Sequence, residues 1–280
     1  MPPLDPRLTP ARPDLAARSL EGQVAAARFV DGTLCEVVEP VLPLRRAPAP
    51  DAPLDTEALL GERVTVFETS EEGWAWGQLG ADRYVGYLPA NGLSPPGPPP
   101  THRVSALRTL AFPGPSLKLP PLAALPFGAI VAVTRQEDRF AVTAAGGYVP
   151  SVHLAPLDNR ETDFVAVAER FLGTPYLWGG KTGLGLDCSG LVQIALAACG
   201  VPCPRDSDMQ EAALGAAIAG PPRRGDLMFW KGHVAIVRDQ ATLLHANGFN
   251  MAVALEPIEQ AIARIRASEG EVTSVKRLGA

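Results

Sequence analysis

The chain has 280 residues, and 46% of them are hydrophobic, which is enough for two or three compact units with separate apolar cores. Its formal net charge of −5 comes without a stripe of Lys and Arg residues. This composition excludes a disordered protein and argues against nucleic acid or an anionic membrane as partner, so a small soluble substrate is expected.

The first thirty residues interrupt every apolar run with Arg, Asp or Pro, and no run of eighteen apolar residues follows. We therefore expect no signal peptide, an extension over residues 1–34 and a cytoplasmic protein. The four cysteines, Cys35, Cys188, Cys199 and Cys203, are too few for a disulfide framework and are expected as thiols. Cys199 and Cys203 are spaced C-x3-C without a second pair of finger-like spacing, which favours buried thiols over a metal site. No cofactor is expected.

Two segments of short β-type runs come next, over residues 35–98 and 99–157. The first contains RVTVFET, WAWGQL and YVGYLP, and the second contains AIVAVTRQ, RFAVTAA and GYVP. Between them the run SPPGPPP can form neither a helix nor a central strand, so it predicts a semi-rigid linker. We expect two small barrels of five or six strands.

Both segments resemble bacterial SH3-like modules. In those modules a strand ending in GYLP or GYVP leads into a short turn and a final NGL or VHL, as it does in each segment here. Small barrels without a binding role remain the alternative.

The pattern becomes helical after residue 158, in DFVAVAERFLG. Further helices are predicted in CSGLVQIALAACG, DMQEAALGAAIAG and EPIEQAIARIRA, and strands in HVAIVRD, TLLHANG and EVTSVKRL. Because helices come first and strands cluster later, residues 158–280 are expected to form an α+β domain. The first helix has an apolar face and a glycine as stop: Phe164, Val167, Ala168, Phe171 and then Gly173.

Cys188 begins a predicted helix that ends at Gly200, with apolar positions Leu191, Val192, Ala195, Leu196 and Cys199. Unpaired N–H groups and the positive end of the helix dipole face a residue at this position. They are expected to lower the pKa of the thiol and can hold a developing oxyanion. A buried structural cysteine is the alternative.

Two of the four histidines, His233 and His245, lie in consecutive predicted strands of the same domain. If the strands form a hairpin around Asp239 with an odd number of loop residues, position 233 pairs with 247 and shares a face with 245. The two imidazoles are then diagonal neighbours, close enough to act together on a cysteine. An even loop would place them on opposite faces.

The ordered motifs DCSGLVQ, PRDSDMQ, RGDLMFW, GHVAIV and LLHANG resemble the NlpC-type family of papain-like cysteine peptidases. The resemblance implies Cys188 as nucleophile, His233 as general base and His245 as the residue that orients it. PYLWGG before the cysteine also matches and implies Tyr176 as support for the oxyanion site. Core histidines are the alternative for His233 and His245, and Asp226 of RGDL is interpreted as a turn residue.

The resemblance extends to a subgroup that places two SH3-like modules before the peptidase. That subgroup cuts murein peptides beginning with a free L-alanine. It implies that Asp206 and Ser207, with Glu62 and Tyr84 of the first module, hold the substrate's terminal ammonium; Tyr87 is the alternative aromatic. Carboxylate and hydroxyl acceptors in a closed pocket suit an ammonium and exclude longer chains.

Other substrate-binding candidates surround these residues. Asp187 and Ser189 flank the cysteine, and Trp178 is either an apolar wall for the alanine methyl or a core residue. Ser207 with Gln210 also fits a capping box, which would explain the serine without any substrate.

The expected reaction is hydrolysis of the γ-D-glutamyl–diamino acid bond in murein tripeptides or tetrapeptides with a free N-terminal L-Ala. An amidase or acyltransferase of the same fold and a non-catalytic protein that binds wall peptides are the alternatives. Diaminopimelate and lysine both remain open as the diamino acid, as does the oligomeric state.

Overall fold

The chain divides into two compact units, with the boundary between Leu157 and Asp158. The computed structural model describes residues 4–279, and we call the two parts the N-terminal unit and the C-terminal unit. Over the described residues, the N-terminal unit contains strands and short 3₁₀ helices, whereas the C-terminal unit combines four α-helices with a six-stranded sheet. The α+β class predicted for residues 158–280 is therefore observed.

The first half of the N-terminal unit is a seven-stranded antiparallel sheet. In β6 the inward residues Val64 and Val66 alternate with more exposed neighbours, and they pack in one apolar cluster with Leu44, Leu79 and Leu88. The strands are β1 Ala16–Ala17, β2 Phe29–Val30, β3 Thr33–Val37, β4 Val41–Arg45, β5 Leu54–Leu59, β6 Arg63–Thr69, β7 Trp74–Leu79, β8 Val85–Pro89 and β9 Leu93–Ser94. Strands β3 to β9 form the sheet, in the order β5-β4-β8-β7-β6-β3-β9.

The expected count of five or six strands is wrong for this half, which has seven in its sheet. Strand β3 begins at Thr33, inside the predicted extension, and Leu93–Ser94 adds a two-residue strand beside it. Short strands of this kind lack enough residues to give a period-two pattern, so the sequence does not reveal them.

Residues 4–34 of the predicted extension are part of the N-terminal unit, while residues 1–3 lie outside the described residues. Leu15 is fully buried, and the amide of Gln78 donates a 2.8 Å hydrogen bond to the carbonyl of Leu8. The backbone N–H of Val85 in β8 donates to the carbonyl of Arg7. The extension therefore supplies core and hydrogen-bond partners to the sheet.

The second half of the N-terminal unit has three small antiparallel sheets, and its eight described strands also exceed the expected five or six. In both halves a strand is followed by a 3₁₀ turn, Ala90–Gly92 or Ser151–His153, and then by a short final strand. Residues 95–101 between the halves form neither helix nor strand, as expected for the Pro-rich run. The strands are β10 His102–Val104, β11 Arg108–Ala111, β12 Ala123–Pro126, β13 Ile130–Val131, β14 Val133–Glu137, β15 Phe140–Thr143, β16 Tyr148–Pro150 and β17 Leu154–Pro156.

The C-terminal unit is organised around one antiparallel sheet. Its helices are α1 Phe164–Glu169, α2 Cys188–Ala198, α3 Ser207–Ala213 and α4 Ile258–Ser268. Its strands are β18 Lys181–Thr182, β19 Gly185–Leu186, β20 Ala216–Ala217, β21 Asp226–Trp230, β22 His233–Val237, β23 Thr242–Asn247, β24 Ala252–Pro257 and β25 Ser274–Arg277. The order across the sheet is β20-β25-β21-β22-β23-β24. Strands β21 and β22 are buried at every position, as in sheets covered on both faces.

Two helices end earlier than predicted. Helix α1 ends at Glu169, and Gly173 lies four residues later with a φ of 79°. Helix α3 ends at Ala213, because Gly215 adopts a φ of 58° and the next two residues pair with β25 as strand β20. The helical pattern of DMQEAALGAAIAG is thus overridden by sheet pairing.

Strand β24 was not predicted, and it includes Glu256, which was expected at the start of a helix. It pairs with β23 along its whole length, from Thr242 opposite Pro257 to Asn247 opposite Ala252. Helix α4 begins directly afterwards and buries Ile258, Ala261 and Ile265 against the sheet. None of the helices formed by residues 4–279 has the length and apolar character needed to cross a bilayer.

Candidate active site

Cys188 is the first residue of α2 and is 7% exposed. The N-cap residue is Asp187, whose carboxylate accepts a 2.7 Å hydrogen bond from the N–H of Gly190. The helix ends at Ala198, and Gly200 follows with the positive φ of 74° that is usual after a helix C-terminus. The predicted position of Cys188 at a helix N-terminus is confirmed.

A buried ion pair between Arg205 and Asp187 lies at the start of this helix. Arg205, 1% exposed, donates to both carboxylate oxygens of Asp187 at 2.9 and 2.7 Å and to the hydroxyl of Ser189 at 3.0 Å. Asp187 also accepts from the N–H of Gly179 at 2.8 Å. The two residues that flank the cysteine, expected as substrate contacts, thus have partners within the protein that hold the helix start in place.

The two histidines lie side by side on a hairpin with an odd loop, as predicted. Strand β22 pairs with β23 in the register Ile236 opposite Leu244 and Val237 opposite Leu243, so five residues, an odd number, separate the last pair. His233 Nε2 lies 2.9 Å from His245 Nδ1, and the two side chains are buried. The predicted contact between the imidazoles is confirmed.

Glu256 and Arg264 continue this pair, and neither was predicted from the sequence as a site residue. His245 Nε2 lies 3.0 Å from Glu256 Oε2, and Arg264 donates to both oxygens of Glu256 at 2.9 and 2.7 Å. Glu256 is on β24 and Arg264 on α4. In the sequence, the only sign of this ion pair is an acid eight residues before an arginine. That spacing points to a contact only if β24 has already been predicted as a strand.

The thiol of Cys188 does not have the lowered pKa expected from its helix position. Burial, followed by the negative charge of Asp187, raises the pKa to about 12. Hydrogen bonds from the backbone N–H groups of Val234 and Ser189 and the charge of Arg205 act in the opposite direction but are weaker. The expectation was wrong because the desolvation cost of a buried thiolate exceeds the stabilisation from the helix N-terminus.

The imidazoles are neutral for the same reason. Burial lowers the pKa of His233 to about 3, with His245 and Arg264 adding to the shift, and lowers the pKa of His245 to about 4. Near pH 7 the site therefore contains a neutral thiol and two neutral imidazoles. Burial therefore disfavours both the thiolate and the imidazolium in the resting site.

Tyr176 lies beside this group and Trp178 lies on the surface. Burial and then the nearby Cys188 raise the pKa of Tyr176, so its hydroxyl remains protonated and able to donate. Its backbone N–H is bonded to the carbonyl of Met251. Trp178 is 66% exposed, so the alternative that it is a core residue is wrong.

Asp206 and Ser207 lie at the start of α3, directly after the buried Arg205. The capping-box alternative is wrong, because the N-cap position is Asp206 and Ser207 is the first helical residue. The fully buried Gln210 donates instead to the carbonyls of Ser189 and Pro204, both at 2.9 Å. These bonds tie the start of α3 to the cysteine helix.

The remaining amine-pocket candidates belong to the N-terminal unit. Tyr84 is 4% exposed and packs in its apolar core, and Glu62 is half-buried after the β5–β6 turn. The alternative aromatic, Tyr87, lines a cleft of about 690 Å³, where its hydroxyl accepts a 3.0 Å hydrogen bond from Arg12.

Three other residues considered in the sequence are Asp226 of RGDL and the two cysteines spaced C-x3-C. Asp226 is the first residue of β21 and is buried in a bidentate ion pair with Arg277 at 2.8 and 2.7 Å. Its carboxylate also accepts from the N–H of Arg223, so it closes the turn that leads into the strand. Cys199 and Cys203 are half-buried and are not joined in a disulfide. Residues 4–279 contain no group of three or more His, Cys, Asp and Glu side chains arranged to hold a metal ion.

Comparison with known families gives two matches along the chain. Residues 44–93 match the bacterial dipeptidyl-peptidase SH3 domain, and residues 173–267 match the NlpC/P60 family. A crystal structure of an NlpC/P60 family protein from Bacillus cereus is 19% identical, with a TM-score of 0.74 over 88% of this chain and 99% of that one. At this identity the likeness concerns the fold.

Curated relatives include two dipeptidyl-peptidases. Dipeptidyl-peptidase 6 of Lysinibacillus sphaericus is 36% identical over 110 residues, which are 36% of this chain and 41% of that protein. The γ-D-glutamyl-L-lysine dipeptidyl-peptidase of Bacillus subtilis is 27% identical over 158 residues, 52% of each chain. The matches thus span about half or less of these relatives. The chain therefore contains a bacterial dipeptidyl-peptidase SH3 domain over residues 44–93, followed by an NlpC/P60 domain over residues 173–267.

Proposed function

We propose that the protein is a cysteine peptidase that hydrolyses the γ-D-glutamyl–diamino acid bond of murein tripeptides and tetrapeptides with a free N-terminal L-Ala. The observation that carries the proposal is a cysteine at a helix N-terminus whose sulfur accepts a hydrogen bond from the N–H of Val234, the residue after His233, which is itself hydrogen-bonded to His245. Cys188 would be the nucleophile, His233 the general base and His245 the orienting residue. This combination is the usual one for acyl transfer by a thiol.

The mechanism follows from the neutral state of the site. His233 takes the proton of the Cys188 thiol as the sulfur attacks the γ-carbonyl of D-Glu. The N–H groups at the start of α2 and the Tyr176 hydroxyl donate to the oxyanion. The protonated His233 then gives its proton to the leaving amine, and the acyl group stays on the sulfur. Water, deprotonated by His233, releases L-Ala-D-Glu and restores the thiol.

The substrate class is proposed from the names of relatives and from the acids near α3. One relative is named for cleavage at γ-D-glutamyl-L-lysine, which is a bond of the proposed kind. Asp206 and Ser207 would bind the ammonium of L-Ala, and Trp178 would contact its methyl group. In intact wall that amine is acylated, so such an enzyme would act on released peptides, which suits peptide recycling in the cytoplasm.

We also propose that residues 99–157 form a second SH3-like domain, after 35–98 and before the peptidase domain 158–280. The support is the repeated succession of strand, 3₁₀ turn and short final strand at Tyr148–Pro150, Ser151–His153 and Leu154–Pro156.

The test compares kcat/KM for L-Ala-γ-D-Glu-diaminopimelate with its N-acetylated form. Acetylation removes the positive charge and adds bulk, so kcat/KM should fall by about 100-fold or more, as for sites built around a buried polar partner. Cys188→Ala should abolish turnover. Cys199→Ala, at a half-buried cysteine beyond the opposite end of the same helix, serves as the matched control. Equal values for the two peptides would refute the amine pocket, and activity of Cys188→Ala would refute the cysteine mechanism.

A further inference from the structure

A continuous series of hydrogen bonds connects the two histidines to an ion pair outside the proposed triad. It runs from His233 Nε2 to His245 Nδ1 at 2.9 Å, and from His245 Nε2 to Glu256 Oε2 at 3.0 Å. Arg264 ends the series with two bonds to Glu256, at 2.9 and 2.7 Å. Each side chain in the series is hydrogen-bonded to a side chain on the next strand or helix. Whether an imidazole nitrogen carries a hydrogen therefore depends on the group that it faces.

Glu256 is the member whose hydrogen-bonding character is fixed. It is 8% exposed, and its two oxygens face the guanidinium of Arg264, which holds the pKa of the carboxyl below its usual range. An ionised carboxylate can only accept hydrogen bonds. His245 Nε2 must therefore carry a hydrogen and donate it to Glu256.

The protonation of the imidazoles follows from that bond. His245 is 1% exposed and neutral near pH 7, so with its hydrogen on Nε2 it presents a lone pair at Nδ1. His233 Nε2 is 2.9 Å from this lone pair and donates to it. A neutral His233 with hydrogen on Nε2 has its lone pair on Nδ1, the nitrogen that is not bonded to His245.

We propose that Glu256 and Arg264 are positioning residues that set the tautomer of both imidazoles, so that Nδ1 of His233 is the atom that receives the thiol proton. The kinetic part of this assignment rests on the proposed function, whereas the tautomers do not. The acid and the arginine act through His245 and touch neither the thiol nor a substrate in this arrangement. During attack, the hydrogen on Sγ moves to Nδ1 of His233, and the imidazolium formed is stabilised through His245 by the Glu256 carboxylate.

Nitrogen NMR of the histidine side chains tests the tautomers directly. The chain has four histidines, and spectra of His102→Gln and His153→Gln identify the signals of the N-terminal unit. In [15N]histidine-labelled protein near pH 7, both remaining residues should show a protonated Nε2 and an unprotonated Nδ1. A protonated Nδ1 on either residue would overturn the proposal. This measurement needs no variant of the site.

The variant Glu256→Gln replaces the carboxylate with a neutral amide that has one acceptor atom and one donor group. Oε2 of Glu256 accepts from both His245 and Arg264, and Oε1 accepts from Arg264, so no orientation of the amide satisfies all three donors. Where the NH₂ faces His245 Nε2, the hydrogens of both imidazoles should move to Nδ1, so the 15N signals should show a mixture of tautomers. A folded variant with unchanged 15N signals and unchanged kcat would also overturn the proposal.

Kinetics of the same variant measure the consequence. We expect kcat to fall on the order of 10- to 100-fold with KM nearly unchanged, less than the roughly 10⁴-fold lost when a group bonded directly to a catalytic histidine is neutralised. Glu259→Gln, an exposed acid at the start of α4, is the matched control and should leave spectrum and kcat unchanged. A wild-type protein that shows the expected tautomers but cleaves no murein peptide would refute the proposed function and leave the tautomer assignment in place.

Discussion

At the scale of single residues, the decisive feature is the competition of two effects at one sulfur atom. The N-terminus of α2 favours the thiolate of Cys188, while burial and the carboxylate of Asp187 disfavour it. Arg205 offsets part of the Asp187 charge, yet the pKa of the thiol remains at about 12. The resting site is therefore protonated on sulfur, and its reactivity depends on His233 during the reaction.

The raised pKa of the Cys188 thiol predicts how it reacts with iodoacetamide. Since the thiolate is the reactive form and its pKa is raised, the rate should keep rising with pH beyond about 9, where an ordinary thiol of pKa about 8.5 levels off. The rate is followed by mass spectrometry of the peptide containing Cys188, with glutathione as the reference thiol. A plateau near neutral pH would instead indicate a preformed thiolate–imidazolium pair.

At the scale of elements, close backbone contact sets the position of the cysteine helix. A Cβ atom on Gly190 would lie 2.3 Å from the carbonyl oxygen of Gly180, so only glycine permits α2 to approach the 179–180 segment. The same segment donates an N–H, from Gly179, to Asp187. The small residue of the DCSG motif is thus required by packing.

Gly190→Ala should therefore displace the start of α2. We expect a loss of roughly 1–3 kcal/mol in the free energy of unfolding, as for other overpacked sites, together with reduced turnover. Urea unfolding measures the first effect. Gly220→Ala is the control, because a Cβ there meets nothing within 4 Å and should change stability little. Equal stability of the two variants would contradict the close-contact argument.

At the scale of the whole molecule, the segment before the first predicted barrel is structural. Leu15 and Ala16 are both 0% exposed, and Ala16 pairs with Phe29 in a small parallel sheet. Arg12 lies over the ring of Trp76 at 4.4 Å from its centroid. These contacts make residues 4–34 part of the folded N-terminal unit.

The prediction at this scale concerns stability. Leu15→Ala removes a fully buried side chain and should lower the free energy of unfolding of the N-terminal unit by about 2–5 kcal/mol. Thermal unfolding followed by tryptophan fluorescence measures it, since Trp74 and Trp76 report on this unit. Leu4→Ala, at a side chain that is 50% exposed, is the control. If both variants unfolded alike, the segment would not be part of the cooperative unit.

The sequence by itself determined the features that are encoded over a few neighbouring residues. The acid before Cys188, the apolar spacing after it and Gly200 together specify a helix and its ends. The contact of His233 with His245 follows from the period of two in strands and the parity of one short loop. Both predictions needed only local geometry.

Only the tertiary structure decided the features that depend on residues distant in the chain. Glu256 was assigned to a helix because its neighbours favour one, but pairing with β23 places it at the end of a strand, beside His245. Burial of Arg205 and desolvation of the Cys188 thiol likewise arise when separate elements pack together. Burial and the identity of charged partners are sums over contacts in space, so a linear pattern determines the positions of α2 and the β22–β23 hairpin but not the electrostatics that their packing creates.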